Sequence, residues 1–351
     1  MATITSITQI KGIHAGHSTN EAAGTGCTVI VCPAGATGAV DVRGGAPATR
    51  ETDLLRPEET VDVLHAVVLS GGSAYGLAAA CGVAEELERH DIGLDVGVAK
   101  VPIVSGACLF DLGVGSATVR PTSLDGVAAT REALDFPDSP LERGNVGAGT
   151  GCSVGKLSGP ARAMKAGIGE HVECAGELVC GAVTAVNACG DVVDPDTGVA
   201  IAGVLSEDGT LAANTTDALI GMQAAMPLAR TNTTISCVVT NARLTKAQAT
   251  KVAQMAADAY AHAIRPTHTT NDGDTIFVMA TGEVDAAVDI VATLATRALE
   301  RAIADAAHEA EGAYGLKAAH DLPGYDTSWV SDGHGRRTPS LDELYAQLKR
   351  R

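Results

Sequence analysis

The chain has 351 residues, of which 40 are glycine, and aromatic residues make up only 3% of it. This composition indicates a soluble globular protein whose interior is packed from Ala, Val, Ile and Leu, with backbones that approach closely at glycines. The formal net charge is −17, and basic residues cluster only at Lys349–Arg351. We therefore expect no nucleic-acid partner, because a phosphate backbone is bound by clustered basic side chains.

Short apolar or alternating runs predict β-strands along the chain. They lie at Cys27–Val31, His65–Leu69, Leu178–Val186, Val199–Leu205, Ile235–Thr240 and Thr275–Ala280. Helical periodicity predicts helices at Ala74–Arg89, Leu124–Leu134, Thr245–Ile264 and Asp285–Glu311. Because no linker or repeat divides this mixture of α and β, we predict one domain made from two chain segments.

Two glycine-rich segments and one asparagine are candidates for binding or catalysis. The turn Ser70–Gly76 can present backbone N–H groups to an anion or oxyanion, but it lacks the ending of a P-loop. The loop Gly147–Lys156 is not preceded by the strand that a dinucleotide fingerprint requires. Lys156 is either a partly desolvated catalytic amine or a surface lysine. Asn187 ends an apolar strand, where its amide either donates to an oxyanion or belongs to an ordinary turn.

The tripeptide Asn-Thr-Thr occurs twice, at Asn214–Thr216 and Asn232–Thr234. A helical pattern follows the first copy, in which Thr or Asp can serve as a helix N-cap. A β-branched run follows the second. Cleavage between Asn232 and Thr233 would give Thr233 an α-amine with a pKa of roughly 7.7–8.0, a base beside its own hydroxyl. The alternative is a threonine-rich loop that enters a strand.

Two carboxylates flank a glycine in the segment His268–Thr275. If Gly273 takes a turn conformation, Asp272 and Asp274 can point toward one site and hold the α-ammonium of a threonine. The alternatives are a plain Asx turn and a calcium loop, although the further ligands of an EF-hand are absent.

The remaining features concern redox state, location and the C-terminus. The nine cysteines form no Cys-x-x-Cys pair and are predicted to be reduced and buried. No signal peptide or membrane span is indicated, so we expect a cytoplasmic protein. The histidine spacing indicates no metal site. Residues from Asp321 onward are predicted to be an appendage with a short helix at Ser340–Leu348, either ordered or frayed.

Taken together, these segments resemble the self-processing P1 aminopeptidase family, peptidase family S58, whose members are hydrolases of the N-terminal-nucleophile type. The family includes D-/L-aminopeptidases, β-peptidyl aminopeptidases, a pantetheine hydrolase and nylon-oligomer hydrolases. The matching segments, in family order, are Arg43–Leu55, Ser70–Gly76, Gly147–Lys156, Val183–Asp191, Asn232–Ile235 and Ala263–Phe277. The resemblance implies an α+β fold, a four-layer αββα sandwich over residues 1–320, with 321–351 as the appendage. It also implies autocatalytic cleavage into chains 1–232 and 233–351.

The resemblance also assigns roles to residues. Thr233 falls on the nucleophile, and Asn232 on the residue before the cleaved bond. Asp272 and Asp274 fall on the acidic or polar pair beside the nucleophile, and two aspartates are more similar to the nylon-oligomer hydrolases.

The supporting positions are Lys156, as a charged group of the site, Asn187, as an oxyanion donor, and Tyr75, in the substrate pocket. The implied function is hydrolysis of 6-aminohexanoate oligomers or similar short ω- or β-amino-acid amides, without a cofactor. The alternatives are an aminopeptidase acting on short peptides, β-peptides or amides, and a non-catalytic binding protein of the same fold. The family also implies a homo-oligomer of processed chains, a tetramer.

Overall fold

The structure, a computed structural model, describes residues 4–222 and 232–325. Its strands are β1 (His14–Asn20), β2 (Thr25–Val42), β3 (Thr49–Arg50), β4 (Leu64–Ser70), β5 (Leu94–Asp95), β6 (Lys100–Val101), β7 (Val104–Cys108), β8 (Ser153–Val154), β9 (Met164–Lys165), β10 (Ile168–Ala175), β11 (Leu178–Asn187), β12 (Asp191–Val193), β13 (Ala200–Ala202), β14 (Thr233–Ala242), β15 (Ile264–Arg265) and β16 (Thr275–Val284). Its α-helices are α1 (Ala79–Arg89), α2 (Ser123–Asp135), α3 (Thr215–Gly221), α4 (Lys246–Ala256), α5 (Asp258–Ala263) and α6 (Val288–His308).

The strand β2 is 18 residues long and connects two sheets. Its first half pairs with β1 and β4, so that Cys27 lies opposite Ser70. Its second half pairs with β16, so that Val42 lies opposite Thr275. One sheet therefore has the order β1–β2–β4–β7–β3, and the other has the order β10–β11–β14–β16–β2. In the second sheet β14 and β16 are parallel, which brings the starts of both strands to the same edge.

Alternating side chains of β2 separate two apolar layers. Val29 and Val31 pack with Val83 and Leu87 of α1, on the outer face of the first sheet. Ile30 points the other way, into the main core between the two sheets. The helices α4 and α6 cover the outer face of the second sheet. The order of layers is helices, sheet, sheet, helices, so the predicted αββα sandwich is confirmed.

Most of the predicted strands are present, as parts of β2, β4, β11, β14 and β16. The prediction of a strand over Val199–Leu205 is wrong at both ends, because only Ala200–Ala202 forms β13. The backbone N–H of Val204 donates instead to Asp191 Oδ1 at 2.8 Å, and that of Leu205 donates to the Arg162 carbonyl oxygen at 2.8 Å. Because these two N–H groups bond outside the sheet, the strand β13 ends at Ala202.

The predicted helices differ from the observed ones mainly where α-helical hydrogen bonding changes to the 3₁₀ pattern. The prediction over Ala74–Arg89 covers a 3₁₀ helix, Ser73–Ala78, followed by α1. The prediction over Thr245–Ile264 covers two helices, α4 and α5, with a break at Ala257. There the Tyr260 N–H bonds to the carbonyl oxygen only three residues back, at 3.2 Å. The predicted helices at Leu124–Leu134 and Asp285–Glu311 correspond to α2 and α6.

The nine cysteines are all free thiols, as predicted. Cys81 and Cys174 are exposed, however, so the prediction that the cysteines are buried is wrong for these two. No helix within residues 4–222 and 232–325 has both the length and the apolar character of a membrane span. Of the predicted appendage, Leu322 and Tyr325 pack against the core. Residues 326–351, with the helix predicted at Ser340–Leu348, lie outside the described residues.

The strand β10 was not predicted, because two buried polar residues interrupt its apolar pattern. One of them, Glu170, accepts hydrogen bonds from Ser6 Oγ at 2.8 Å and from the Ile7 N–H at 2.6 Å. Burial raises the pKa of Glu170 to about 7. The folded protein therefore keeps this carboxyl protonated at pH values where the unfolded chain has released the proton. Stability from this group is present at low pH and is lost as the pH rises toward 7.

We predict that Glu170→Gln stabilises the protein at pH 8.5 by up to roughly 3 kcal/mol, since glutamine keeps the acceptor and removes the buried charge. Near pH 4.5 the variant and the wild type should unfold at similar denaturant concentrations. Urea unfolding at the two pH values measures the difference. The control is Glu177→Gln, which removes the same charge at an exposed turn. A Glu170→Gln variant less stable than the wild type at pH 8.5 would contradict the prediction.

Candidate active site

Thr233 is the first residue of β14, and its side chain is buried. It lies opposite Asn187, the last residue of β11, and register partners on antiparallel strands project to the same face of the sheet. On the other side, Asn232 bridges to Asp272 just before β16. The Thr233 hydroxyl is in close contact with the Asn232 carbonyl oxygen, to which it donates. The Asn232–Thr233 peptide bond is therefore buried between the ends of two neighbouring strands.

Gly273 approaches the same peptide bond from the β16 side. Its N–H donates to the Asn232 carbonyl oxygen at 3.0 Å. A Cβ at this position would lie 2.9 Å from Thr233 Oγ1 and 3.0 Å from the Ala46 carbonyl oxygen. Gly273 is not part of a turn, and its φ is outside the left-handed region, so the turn conformation considered above is not adopted. Glycine is needed here for close approach rather than for backbone freedom.

The two carboxylates beside Gly273 have different partners. Asp274 Oδ1 accepts from the Thr234 N–H at 2.8 Å, one peptide unit beyond the Thr233 nitrogen, and Asp274 Oδ2 accepts from His268 Nδ1 at 2.9 Å. Asp272 Oδ2 accepts from the N–H and the hydroxyl of Thr269, at 2.8 and 2.6 Å. Burial, followed by the negative charge of Asp274, raises the pKa of Asp272 to about 6. Asp274 therefore faces the strand of Thr233, whereas Asp272 is bound within its own loop.

Lys156 and Asn187 form a polar pair at the end of β11. Lys156 Nζ donates to the Asn187 carbonyl oxygen and to Asn187 Oδ1, each at 2.8 Å. The Ser153 N–H also donates to Asn187 Oδ1, at 3.1 Å. Asn187 Nδ2 donates to the Phe110 carbonyl oxygen at 2.8 Å. Burial of the amine lowers the pKa of Lys156 to about 8, so this is a desolvated lysine rather than a surface one.

The glycine-rich segment after β2, residues 43–46, holds in place the loop that contains Asp272 and Asp274, called the aspartate loop here. The Arg43 N–H donates to the Asp274 carbonyl oxygen at 3.0 Å, and the Ala46 N–H donates to the Asp272 carbonyl oxygen at 2.8 Å. A Cβ on Gly44 would lie 2.3 Å from the backbone nitrogen of Asp274. The segment can therefore lie against the aspartate loop only if residue 44 lacks a side chain.

Tyr75 lies apart from these contacts. It belongs to the 3₁₀ helix Ser73–Ala78 and is 62% exposed, with the Arg120 guanidinium carbon 3.9 Å from the centroid of its ring. The turn before it is anchored by the Gly72 N–H, which donates to Asp111 Oδ1 at 2.7 Å. Asp111 follows Phe110, the residue that binds the Asn187 amide. Tyr75 is thus connected to the site through the backbone at residues 110–111, and its substrate role stays a prediction.

The first Asn-Thr-Thr copy is structural. Thr215 is buried at the start of α3, and its N–H and hydroxyl donate to the carboxylate of Asp191 at 2.9 and 2.8 Å. Asn214 is the N-cap residue, and no side-chain cap bond is made there. The threonine is therefore used to attach α3 to β12, and the expected Thr or Asp cap is wrong.

The model of peptidase family S58 matches residues 5–328. The chain belongs to peptidase family S58. A protein named as an uncharacterized aminopeptidase of Mycobacterium leprae is 43% identical over 299 residues, which cover 81% of each chain. A 6-aminohexanoate-oligomer endohydrolase of Kocuria sp. is 32% identical over 278 residues, covering 78% of this chain and 74% of the relative.

Solved structures agree with the fold. A beta-aminopeptidase of Burkholderia sp. superposes with a TM-score of 0.62 at 19% identity, covering 91% of this chain and 92% of the other. An L-aminopeptidase D-Ala-esterase/amidase from Ochrobactrum anthropi, described as a variant of the Ntn hydrolase fold, also gives a TM-score of 0.62. Its identity is 17%, and the match covers 99% of this chain and 94% of that structure. The family match and the relatives named as an aminopeptidase and an oligomer endohydrolase show that this S58 chain is an amide hydrolase, which sets aside the non-catalytic alternative.

Among the predicted S58 site residues, the structure brings together Asn232, Thr233, Asn187, Lys156, Asp272 and Asp274. Sequence reasoning missed the backbone N–H of Gly273 and the side chain of His268. A glycine between two aspartates is a common turn sequence, so nothing in it indicates a backbone donor aimed at Asn232. His268 lies within the segment singled out above, but its spacing to Asp274 indicates no known motif.

We predict that Asn187→Asp lowers amide hydrolysis about 100- to 1000-fold, as expected for the loss of one oxyanion donor. Aspartate keeps the acceptor for Lys156 and Ser153 but replaces the Nδ2 donor with an oxygen. Turnover of an amide substrate and thermal unfolding should be measured on the same samples.

The matched control for this variant is Asn241→Asp. Asn241 makes the same pattern of bonds, accepting from the Val179 N–H at 2.9 Å and donating to the Glu177 carbonyl oxygen at 2.8 Å. Asn187→Asp should lose about 1–3 kcal/mol of stability, as expected for an unsatisfied buried group, and Asn241→Asp, at a partly exposed site, should lose less. Only Asn187→Asp should lose turnover. Equal turnover in the two variants would contradict an oxyanion role for Asn187.

Proposed function

We propose that this S58 protein is a self-processing N-terminal-threonine hydrolase that cleaves amide bonds of 6-aminohexanoate oligomers or similar short ω- or β-amino-acid amides. The observation that carries the proposal is the environment of the Asn232 carbonyl group. The Thr233 hydroxyl is in contact with its oxygen, and the Gly273 N–H donates to the same oxygen at 3.0 Å. A nucleophile and an oxyanion donor thus meet at one peptide bond.

Processing uses this arrangement within the chain. Thr233 Oγ1 loses its proton and attacks the Asn232 carbonyl carbon, and the Gly273 N–H stabilises the negative oxygen of the tetrahedral intermediate. The bond from carbon to the Thr233 nitrogen then breaks, and the nitrogen takes up the proton that Oγ1 released, which leaves an ester on Oγ1 and a free α-amine. Water hydrolyses the ester, so that chain 1–232 ends in a carboxylate and Thr233 keeps its hydroxyl and a new α-amine.

The mature site then hydrolyses amides of other molecules. The Thr233 α-amine accepts the proton of its hydroxyl while Oγ1 attacks the substrate carbonyl. Asn187 lies opposite Thr233 on the same face, where its amide can donate to the oxyanion. Asp274 holds the backbone one peptide unit away, through the Thr234 N–H, and its charge favours the ammonium that forms.

Two observations support different substrates. The 32%-identical relative is named a 6-aminohexanoate-oligomer endohydrolase, which favours hydrolysis inside such oligomers. The resemblance of the Asp272 and Asp274 pair to the nylon-oligomer hydrolases favours the same substrate class. The 43%-identical relative is named as an aminopeptidase, which favours release of N-terminal residues as the second candidate. Cleavage rates for a linear 6-aminohexanoate oligomer and for short peptides with a free N-terminus distinguish the two. Faster release of the peptide N-terminal residue would reject the first substrate class.

We predict that Thr233→Ala remains a single chain and hydrolyses no amide, because both the nucleophile and the route to the α-amine are lost. Thr233→Ser should still cleave itself, since serine keeps the hydroxyl. The control is Thr215→Ser, which changes the structural Asn-Thr-Thr copy in the same conservative way. Denaturing gels show the number of chains. Two chains from Thr233→Ala, divided at the same bond, would contradict the proposal.

Gly273→Ala should slow self-cleavage by about 100-fold, because its Cβ would displace the N–H from the Asn232 carbonyl oxygen. The control is Gly113→Ala, where an added Cβ meets no atom within 4 Å. The fraction of cleaved chain is followed over time after rapid purification. Cleavage of Gly273→Ala at the wild-type rate would show that this N–H is not used.

A further inference from the structure

One partly buried histidine, in contact with Asp274, has no role in the mechanism described above. His268 bonds to Asp274 twice: Nδ1 donates to Asp274 Oδ2 at 2.9 Å, and the backbone N–H donates to the same oxygen at 3.0 Å. The other carboxylate oxygen, Asp274 Oδ1, accepts from the Thr234 N–H. The carboxylate therefore lies directly between His268 and the strand that begins at Thr233.

The His268 ring has a second, indirect connection to the same strand, through Tyr260 of α5. It stacks on Tyr260, with the ring centroids 5.3 Å apart and the planes inclined by 26°. The Tyr260 hydroxyl lies 2.7 Å from Ser236 Oγ and donates to the Thr234 carbonyl oxygen at 3.1 Å. The ring of His268 is thus attached to β14 both through Asp274 and through Tyr260.

The backbone at His268 is held in an uncommon conformation. Its φ is +55°, in the left-handed region that residues other than glycine seldom adopt. This conformation accompanies the two bonds that His268 makes to one carboxylate oxygen. A backbone held in a sparsely populated region beside a reactive group is often part of how that group is preorganised.

The second ring nitrogen indicates that the histidine is not there only to complete a packed core. Nε2 is buried and has no hydrogen-bond partner within residues 4–222 and 232–325. Buried polar atoms without a partner are uncommon and cost free energy. A phenylalanine or leucine would pack on Tyr260 without this cost. What distinguishes histidine here is the Nδ1 donor to Asp274.

We propose that His268 is a positioning residue for amide hydrolysis: it holds the Asp274 carboxylate beside the Thr233 amine, so that the ammonium formed in the transition state meets a fixed negative charge. The inference rests on the proposed function. The positive charge on the amine appears only as the amine takes the hydroxyl proton, so a fixed carboxylate stabilises the transition state more than the bound substrate. Loss of the donor should therefore lower kcat and leave KM nearly unchanged.

The test compares two substitutions at His268 in the full-length, purified protein. His268→Phe keeps an aromatic ring on Tyr260 but has no donor for Asp274. His268→Asn keeps a donor near the position of Nδ1, and asparagine tolerates a left-handed backbone. Self-cleavage is followed on gels, and kcat and KM are measured with a linear 6-aminohexanoate trimer and with alanine p-nitroanilide.

We expect His268→Phe to lower kcat about 10- to 100-fold with KM within about twofold, because a misplaced catalytic group costs rate rather than binding. His268→Asn should restore most of the lost kcat, whereas a purely structural role would not be rescued by the smaller residue. The matched control is His262→Phe. His262 also pairs with a carboxylate, Glu300 Oε2, at 2.6 Å, but its side chain is half-exposed. This control should leave kcat unchanged.

The outcomes separate the inference from the proposed function. If the wild type is neither cleaved nor active on either substrate, the proposed function fails and the inference fails with it. If the wild type is active and His268→Phe keeps its full kcat, the inference alone is overturned. A fall in kcat that His268→Asn does not restore, or an equal rise in KM, also overturns it. Thermal unfolding checks that each variant is folded at the assay temperature.

Discussion

The site depends on the close approach of backbone segments to one buried peptide bond. The Asn232–Thr233 peptide lies between the end of β11 and the start of β16, because Thr233 pairs with Asn187 and Asn232 bridges to Asp272. A side chain at Gly273 would lie 2.9 Å from the Thr233 hydroxyl oxygen. Gly44 allows the segment after β2 to close on the same loop. The parallel pairing of β14 and β16 then determines which residues face the bond.

Burial around this bond also determines its electrostatics. It lowers the pKa of Lys156 to about 8 and raises that of Asp272 to about 6, so both groups titrate closer to neutrality than in water. Groups perturbed in this way, close to a nucleophile, are typical of catalytic sites. They also make the site costly to fold, because charges removed from water need the hydrogen bonds that Asn187 and Thr269 supply.

The strands β4, β14 and β16 could be predicted from their β-branched runs, whereas the four layers were expected only from the resemblance to the S58 family, because no local pattern shows how sheets stack. The strand β10 escaped prediction because Glu170 and His171 are buried by tertiary contacts that no local pattern contains. For the same reason the strand predicted over Val199–Leu205 ends early, because the Val204 N–H donates to the Asp191 side chain instead of to a neighbouring strand.

Within the site, the sequence predicted the side chains that carry reactive or polar groups, but it did not predict which backbone N–H groups would donate hydrogen bonds there. Thr233, Lys156 and Asn187 have reactive or polar groups that a sequence displays. The N–H of Gly273 is the same in every residue except proline, so only the fold shows that it points at Asn232. The pairing of His268 with Asp274 accompanies a left-handed backbone conformation at His268, which is set by tertiary structure and is not indicated by any local pattern.

The central claim is that the protein becomes an enzyme by breaking its own Asn232–Thr233 bond. Intact-mass spectrometry of the purified, active wild-type protein tests this most directly. The account predicts two chains whose masses sum to that of the full chain plus one water, the smaller beginning at Thr233. A single full-length chain in protein that hydrolyses amides, or a new N-terminus at any other residue, would contradict it.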